Sequence, residues 1–389
     1  MRVLHVIPSI DKSDGGPSKA IRSMEHALIR RGVSVVTATT AVGIPENKEL
    51  NHEACTCEAK RFYARRRIEF YKVAPGFIPW LWIHVRSFDV VHIHSLFSFV
   101  SVVTGWICRL RHVPYIVRPL GTLSKYGVSQ RRPWLKNISL CLVEGPILAH
   151  AAAVHFTSQA EMDDARLINV KFRGVIIPLG VEVEQAADPL EVRRWGDARV
   201  GCKRIILFLS RLDPKKNVEA LIDAFASSGY LKDNAVIAIA GSGKPAYVAR
   251  LRERAISADV DDRIFWLGHV EGGYKASVLG AAHVFVLPSF SENFGIAAVE
   301  ALLVGLPCIL SRGVAIAGDI EAAGAGVAVE PEPQSLAMAM SEMLSDDDYR
   351  TAVAARARAF AQSKYSMDAM ADNLIALYQA IANSASRTN

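Results

Sequence analysis

The order of apolar segments constrains the fold of this chain more than any other feature of the sequence. A short apolar run, Val3–Ile7, ends at Pro8, and apolar residues at helical spacing follow from Ile21 to Ile29. A second strand-like run then begins at Val33. Strands that alternate with helices are typical of a parallel sheet covered on both faces, because each helix returns the chain to the same end of the sheet.

The same alternation starts again near residue 200, which predicts two domains in the 389 residues. The polar segment Glu182–Arg199 separates the two halves. We predict an α/β protein with two Rossmann-like, doubly wound parallel sheets facing a cleft: an N-terminal domain over 1–185, a C-terminal domain over 200–365 and a closing helix over 366–389. Further strands are predicted at 90–94, 115–118, 153–157, 175–178, 204–210, 235–240, 263–267, 283–287, 307–310 and 326–329.

The positive charge lies in the first half of the chain. Residues 1–185 hold 24 Lys and Arg against 15 Asp and Glu, whereas residues 186–389 hold 21 against 24. We predict no nucleic-acid partner, because no recognised motif accompanies basic clusters such as Arg65–Arg67. The apolar segment Phe77–Trp82 carries two Trp near such clusters, which leaves open a peripheral contact with an anionic membrane.

Two other patterns bear on location. Val90–Cys108 is apolar over nearly the length of a membrane span, but His92 and His94 lie inside it, so we predict a buried strand followed by a core helix. The six cysteines form no Cys-x-x-Cys pair and follow no secretory leader, which favours a reducing cytoplasm. For Cys55 and Cys57, near His52, free thiols are favoured over a metal clip.

Candidate binding groups follow the predicted strands of the second half. Arg211 and Lys216 come after the strand that ends at Ser210, and their charges suit the oxygens of a diphosphate. A solvated turn explains this segment equally well. Ligands bind beyond the carboxyl ends of strands in open α/β sheets, so the position itself favours a site.

The second candidate loop runs from Val286 into a helix that begins near Gly295. Free backbone N–H groups at a helix start bind phosphate oxygens, and glycine allows close approach. Glu292 lies in the loop, placed for sugar hydroxyls, and Glu300 lies just over one turn into the helix, placed for ribose hydroxyls. The alternative for Glu292 is an acid that only complements the helix dipole.

The segment Ser291–Leu302, with Glu292 and Glu300 separated by seven residues, resembles the paired-glutamate motif of glycosyltransferase family four, the group 1 or glycogen-synthase-like retaining enzymes. The Gly15–Gly16 loop, the Asp-Val-Val-His-Ile-His strand, the Arg…Lys-Lys-Asn segment and the Ala240–Gly243 turn are similar to family elements in family order. The resemblance covers nearly the whole chain and implies a GT-B fold, in which the last helix crosses back to the first domain.

The resemblance also implies residue roles. Arg211 and Lys216 would bind the diphosphate of a nucleotide sugar, Glu300 the ribose and Glu292 the sugar. Further donor contacts would come from Gly15, Gly16, Gly241, His269, Val270, Asn293, Phe294, Gly295 and Ile296. It implies transfer of a hexosyl group, with retention of configuration, from a UDP-sugar or, as second choice, a GDP-sugar. The acceptor would be a glycan or a polyprenyl-diphosphate-linked oligosaccharide. The reaction would take place in the cytoplasm or at the inner face of the plasma membrane.

The chain departs from the family where many members have His-Gly, because Leu120 stands in place of the histidine. Arg118 or His94 would supply the missing contact, or Arg118 only ties the loop to the sheet. This substitution also leaves open an inactive nucleotide-sugar-binding scaffold. We expect no cofactor and no metal, since the sequence shows no carboxylate cluster at a strand end and no third ligand beside His92 and His94.

Overall fold

The computed structural model describes residues 1–11, 16–41, 48–50, 59–123, 138–168, 170–183 and 203–386. The chain divides into two compact units, the first comprising Met1–Gly180 with Met367–Asn389 and the second comprising Val181–Ser366. Each unit is an α/β domain built on its own sheet. Helices and strands are numbered below in chain order.

The first unit is built on an eight-stranded sheet. Its strands are β1 (Arg2–Val6), β2 (Ser34–Ala41), β3 (Lys48–Leu50), β4 (Lys60–Arg65), β5 (Val90–His94), β6 (Tyr115–Arg118), β7 (Ala153–Phe156) and β8 (Gly174–Ile176). Its helices include α1 (Gly16–Arg30), α2 (Phe77–His84), α3 (Phe99–Arg111), α4 (Gly145–His150) and α5 (Gln159–Arg166). The strand order is β3-β4-β2-β1-β5-β6-β7-β8, so the direction of winding reverses between β1 and β5.

The second unit is built on a six-stranded parallel sheet. Its strands are β9 (Arg204–Leu209), β10 (Ala235–Ala240), β11 (Ile264–Gly268), β12 (Val284–Leu287), β13 (Cys308–Ser311) and β14 (Gly326–Val329). Its helices are α6 (Val218–Ser227), α7 (Gly229–Asn234), α8 (Pro245–Ser257), α9 (Gly272–Ala281), α10 (Ile296–Leu303), α11 (Ala317–Ala322), α12 (Pro333–Ser345) and α13 (Asp347–Tyr365). The order β11-β10-β9-β12-β13-β14 reverses between β9 and β12.

The last helix, α14 (Met367–Ser386), belongs to the first unit. Its buried residues Leu374 and Tyr378 share one hydrophobic core with Val90 of β5 and Ile116 of β6. Single-turn elements complete the described structure: 3-10 turns at Phe70–Lys72, Val85–Ser87, Pro214–Lys216 and Asp261–Arg263, and a π-helical turn at Leu140–Glu144.

Buried apolar strands explain why the alternating pattern predicts these sheets well. Every residue of β5 and β10 is buried, as expected for strands with helices on both faces. Val90–Cys108 forms β5 and most of α3, which confirms the predicted strand and core helix. No helix within the described residues combines the length and the apolar composition that crossing a membrane requires.

The edge of the first sheet differs from the prediction. Strand β4 was not predicted, because its sequence Lys-Arg-Phe-Tyr-Ala-Arg is basic and lacks an apolar run. It extends the parallel sheet beside β2, and β3 then pairs with it in antiparallel orientation, so this sheet is not wholly parallel. Short, charged strands are common at sheet edges, where they discourage pairing with another chain.

Candidate active site

The candidate site lies where the second sheet reverses its winding. Arg211 follows β9, and the backbone N–H of Leu212 donates to Ser242 O at 2.8 Å, which pairs this loop with the loop after β10. Gly241 makes the pairing possible, since a Cβ there would lie 1.8 Å from Ser210 O. Arg211 is exposed, and the described residues offer it no ion-pair partner. The structure thus places a free guanidinium at the carboxyl edge of the sheet.

Lys216 ends the 3-10 turn that begins at Pro214, and its ammonium group is paired with the carboxylate of Glu292. Phe290 N donates to Lys215 O at 3.0 Å, which ties the loop after β12 to this turn. Burial, with the nearby cations of Arg211 and Lys215, lowers the pKa of Lys216 to about 8. Lys216 and Glu292, predicted from separate motifs, are therefore direct neighbours.

The loop that carries Glu292 is held against the chain after β13. Glu292 N donates to Gly313 O and Ala315 N donates to Glu292 O, both at 2.9 Å. Gly295 then adopts φ +80° and starts α10 without a side-chain cap. Among the described residues, no backbone acceptor binds the N–H groups of Gly295 and Ile296, so the helix start presents free donors with partial positive charge.

Glu300 is a buried residue of α10 whose carboxylate accepts a hydrogen bond from Lys275 Nζ at 2.8 Å. Sequence reasoning missed Lys275, because a single lysine in α9 carries no motif. The pair fixes the Glu300 carboxylate, since a buried charge is retained only when it has a partner.

These groups line one cavity of about 580 Å³ inside the second unit. The cavity contains every predicted donor residue of this unit: Arg211, Lys216, Gly241, His269, Val270, Glu292, Asn293, Phe294, Gly295, Ile296 and Glu300. Ser210, Ser242 and Lys275 line it as well. It therefore combines three cations, two carboxylates and a helix start, which are groups that bind phosphate oxygens and hydroxyls.

Four predicted site residues belong to the first unit: Gly15, Gly16, His94 and Arg118. Gly15 lies outside the described residues, and Gly16 begins α1. His94 and Arg118 end β5 and β6 as register partners, and both are buried. Leu120, which stands in place of the family histidine, adopts φ +58°. The structure thus brings His94 and Arg118 together, as a pair at the carboxyl edge of the first sheet.

The expectation that His92 and His94 lack a third neighbour was wrong. His5 of β1 lies beside them, and one nitrogen from each ring falls within 4.8 Å of the others. The register of parallel strands explains this, since His5 pairs with His92. A single histidine in the first strand of the sequence gave no sign of this approach. The suggested clip at His52, Cys55 and Cys57 lies outside the described residues.

Two family profiles match the chain: Glycosyl transferase 4-like domain over residues 15–180 and Glycosyl transferases group 1 over residues 194–360. The chain belongs to the group 1 glycosyltransferases. Its two Rossmann-like domains are those of the GT-B architecture, as the resemblance implied.

Individual relatives of this glycosyltransferase are distant. Alpha-monoglucosyldiacylglycerol synthase of Streptococcus pneumoniae is 26% identical over 309 residues, which are 76% of this chain and 67% of that protein. The GDP-mannose:cellobiosyl-diphosphopolyprenol alpha-mannosyltransferase of Komagataeibacter xylinus is 24% identical over 388 residues, which are 98% and 93% of the two chains. A solved structure of Anabaena HepE in complex with UDP has a TM-score of 0.74 at 18% identity, with both chains covered fully.

Proposed function

We propose that this glycosyltransferase transfers a hexosyl group from a UDP-sugar, with a GDP-sugar as second choice, to a glycan or lipid-linked acceptor in the synthesis of a surface polysaccharide. The observation that carries the proposal is the single cavity in which Arg211, Lys216 and the start of α10 converge. The HepE structure that resembles this chain was solved with UDP, which supports UDP as the first choice of nucleotide.

Each group in the cavity has a role in this proposal. Arg211, Lys216 and the free N–H groups at Gly295 bind the diphosphate and stabilise the charge that develops on it as the sugar leaves. Glu300, oriented by Lys275, accepts hydrogen bonds from the ribose hydroxyls. Glu292 accepts hydrogen bonds from the donor sugar once the diphosphate has taken over Lys216.

Retention of configuration and independence of metal are further parts of the proposal. The acceptor hydroxyl attacks from the face that the diphosphate leaves, and a phosphate oxygen takes its proton, so no protein carboxylate acts as nucleophile. Two cations and a helix start supply the positive charge that a divalent ion supplies in other transferases.

A surface of the first unit supports a lipid-linked acceptor at an anionic membrane. We define the α2–α3 patch as Trp82, Ile83, Trp106, Leu110 and the adjoining Arg109 and Arg111. Ile83 is 68% and Leu110 64% exposed, and the two arginines stack over the Trp rings at 4.6 and 4.8 Å. Apolar side chains mixed with Trp and Arg suit the interface of an anionic bilayer, and two relatives act on lipids by name.

The test is a calorimetric titration of UDP, GDP, ADP and their sugar conjugates, with and without EDTA. We expect one nucleoside diphosphate to bind even when EDTA is present. Arg211→Ala should weaken its affinity at least about tenfold, whereas Lys232→Ala, which removes an exposed cation of the same unit, should leave the affinity unchanged. Hydrolysis of the donor should be lost in Glu292→Ala while UDP binding persists. Hydrolysis that survives this change would refute the site.

A further inference from the structure

Beneath α14, four histidines of the first unit meet on one face of the sheet. His5, His92, His94 and His155 come from β1, β5 and β7, and their exposed fractions are 1% or less. The rings lie close together, with centroids of His92 and His94 4.2 Å apart and those of His5 and His94 5.0 Å apart. β1 and β5 are the strands between which the winding of this sheet reverses, and such points are where ligands bind in α/β folds.

Hydrogen bonds assign the proton positions in most of this cluster. His155 Nε2 lies 2.8 Å from Ile177 O and must donate to it, so its Nδ1 accepts from His92 Nε2 at 3.3 Å. His92 Nδ1 then accepts from the hydroxyl of Tyr378 at 2.7 Å. That hydroxyl oxygen is left to accept from His5 Nε2 at 3.4 Å. Both nitrogens of His92 are therefore occupied.

Besides Nδ1 of His5, two buried groups at this cluster have no hydrogen-bond partner among the described residues. Neither ring nitrogen of His94 has a hydrogen-bond partner, and Arg118 Nε has none either. Arg118 is 2% exposed, and the described residues supply its guanidinium with no hydrogen bond and no ion pair. Burial lowers the pKa of Arg118 to about 10, which still leaves the group charged at neutral pH. An unpaired buried charge is costly, and native proteins keep one where a ligand completes it.

Glu161, the acid whose charge acts on Arg118, is already engaged. The carboxylate of Glu161 accepts from Gly121 N at 2.7 Å and from the backbone N–H and hydroxyl of Thr157, each at 2.8 Å. Its charge acts on Arg118 from beyond ion-pair distance. The missing partner of Arg118 is therefore an anion that the described residues of the chain do not provide.

A metal ion fits this cluster less well than an anion does. A divalent cation on His5, His92 and His94 would have to break a hydrogen bond of His92, and it would be bound near the positive charge of Arg118. The described residues add no carboxylate to this set. The charge and the free N–H donors both favour a negative ligand.

We propose that Arg118 and His94 form a binding site for a phosphate group in the first unit. The guanidinium takes two phosphate oxygens and the N–H of His94 donates to one of them. This rests on the proposed function in one respect: the phosphate belongs to the acceptor, either a phosphorylated sugar or a lipid-linked diphosphate.

The test uses the full chain with UDP present in excess, and inorganic phosphate is titrated by calorimetry. We expect Arg118→Met to weaken phosphate binding by about tenfold to a hundredfold. His94→Leu should weaken it less, and His94→Gln, which keeps a donor, should restore part of the loss. Arg30→Ala, an exposed arginine of α1, is the matched control and should bind as the wild type does.

A stability measurement separates a ligand site from a structural arginine. Without phosphate, Arg118→Met should unfold at the same temperature as the wild type or higher, because an unpaired buried charge has been removed. With UDP in excess to fill the second-unit cavity, phosphate should then raise the unfolding midpoint of the wild type only. A variant that is clearly less stable, or that binds phosphate as the wild type does, would overturn the proposal. Binding of Zn²⁺ without phosphate would overturn it as well.

Two further arms identify the source of the phosphate. A hexose 6-phosphate that binds more tightly than inorganic phosphate supports a phosphorylated sugar, and a short-chain prenyl diphosphate that does so supports a lipid-linked acceptor. Repeating the titration in Arg211→Ala, without UDP, measures the first-unit site alone. If UDP fails to bind the wild type, the donor site is refuted while the phosphate result still stands or falls on Arg118→Met.

Discussion

Lowering the pH from 7 to 5 should destabilise the first unit far more than the second. Burial lowers the pKa of His5 and His155 to about 3 and that of His92 and His94 well below its usual value. These folded-state values lie below the unfolded value of about 6.5. Below that pH the unfolded chain binds protons that the folded chain does not, so stability present above pH 6.5 is lost as the pH falls.

The size of the effect follows from proton linkage. Each buried histidine costs about 1.9 kcal/mol between pH 7 and pH 5, hence roughly 8 kcal/mol for four. Glu144 acts in the opposite direction, because burial raises its pKa to about 7 and the folded chain takes up its proton first. Its proton uptake offsets about 2 kcal/mol of that loss, which leaves a net loss of about 6 kcal/mol. Among the described residues of the second unit, His283, with a pKa lowered to about 4, contributes a comparable term of about 2 kcal/mol.

Hydrogen exchange at pH 7, 6 and 5, corrected for the intrinsic rate, measures both units in one sample. Amides of β1, β5 and β7 should lose protection steeply, and those of β9 and β10 much less. Replacing the exposed His269 with Gln should leave both profiles unchanged. If the free energy of unfolding fell equally in the two units, or by less than about 2 kcal/mol in the first, the neutral, buried state of the four histidines would be refuted.

Three further outcomes are expected. Lys275→Met leaves the Glu300 carboxylate buried without its partner, so thermal unfolding should show a loss of about 3 kcal/mol together with weaker UDP binding; unchanged stability would contradict the pair. Gly241→Ala places a methyl group against a backbone carbonyl, so circular dichroism should show that the second unit no longer folds. Gly229→Ala, which has no atom within 4 Å of the added Cβ, should fold as the wild type does. Leu110→Glu should reduce co-sedimentation with phosphatidylglycerol vesicles at least about tenfold, and binding that persists would argue against the α2–α3 patch.

The sequence predicts those parts of the fold whose signal is local. The strands at Val90–His94 and Ala235–Ala240 were predicted to the residue, because buried parallel strands are continuous apolar runs between turn signals. The strand Lys60–Arg65 was missed, because charged residues interrupt its apolar pattern, and one of them, Arg61, is buried in an ion pair with Glu25. Pattern reasoning therefore finds apolar strands well and misses a strand whose charged residues are paired only in the folded chain.

The site shows the same division. Loop residues that carry motifs, such as Arg211 and Gly295, were assigned to one site, and they line one cavity. Lys275 and His5 were missed, because each reaches its partner only through tertiary packing. A lone lysine or histidine belongs to no sequence motif with a fixed spacing. Its role becomes visible only from strand register and helix packing in the folded chain.

The charges at the reversal points of the two sheets differ in their pairing. In the second unit, Lys216 holds Glu292 and Lys275 holds Glu300, so a diphosphate that binds Lys216 must displace a carboxylate. On the proposed function, that displacement frees Glu292 inside the same cavity, where only a nucleotide that carries a sugar supplies hydroxyls to it. A nucleotide without a sugar leaves the Glu292 carboxylate, whose side chain is 24% exposed, hydrogen-bonded to water in place of the lysine or sugar hydroxyls. A diphosphate at Lys216 therefore breaks an ion pair, whereas an anion that binds Arg118 displaces no carboxylate among the described residues.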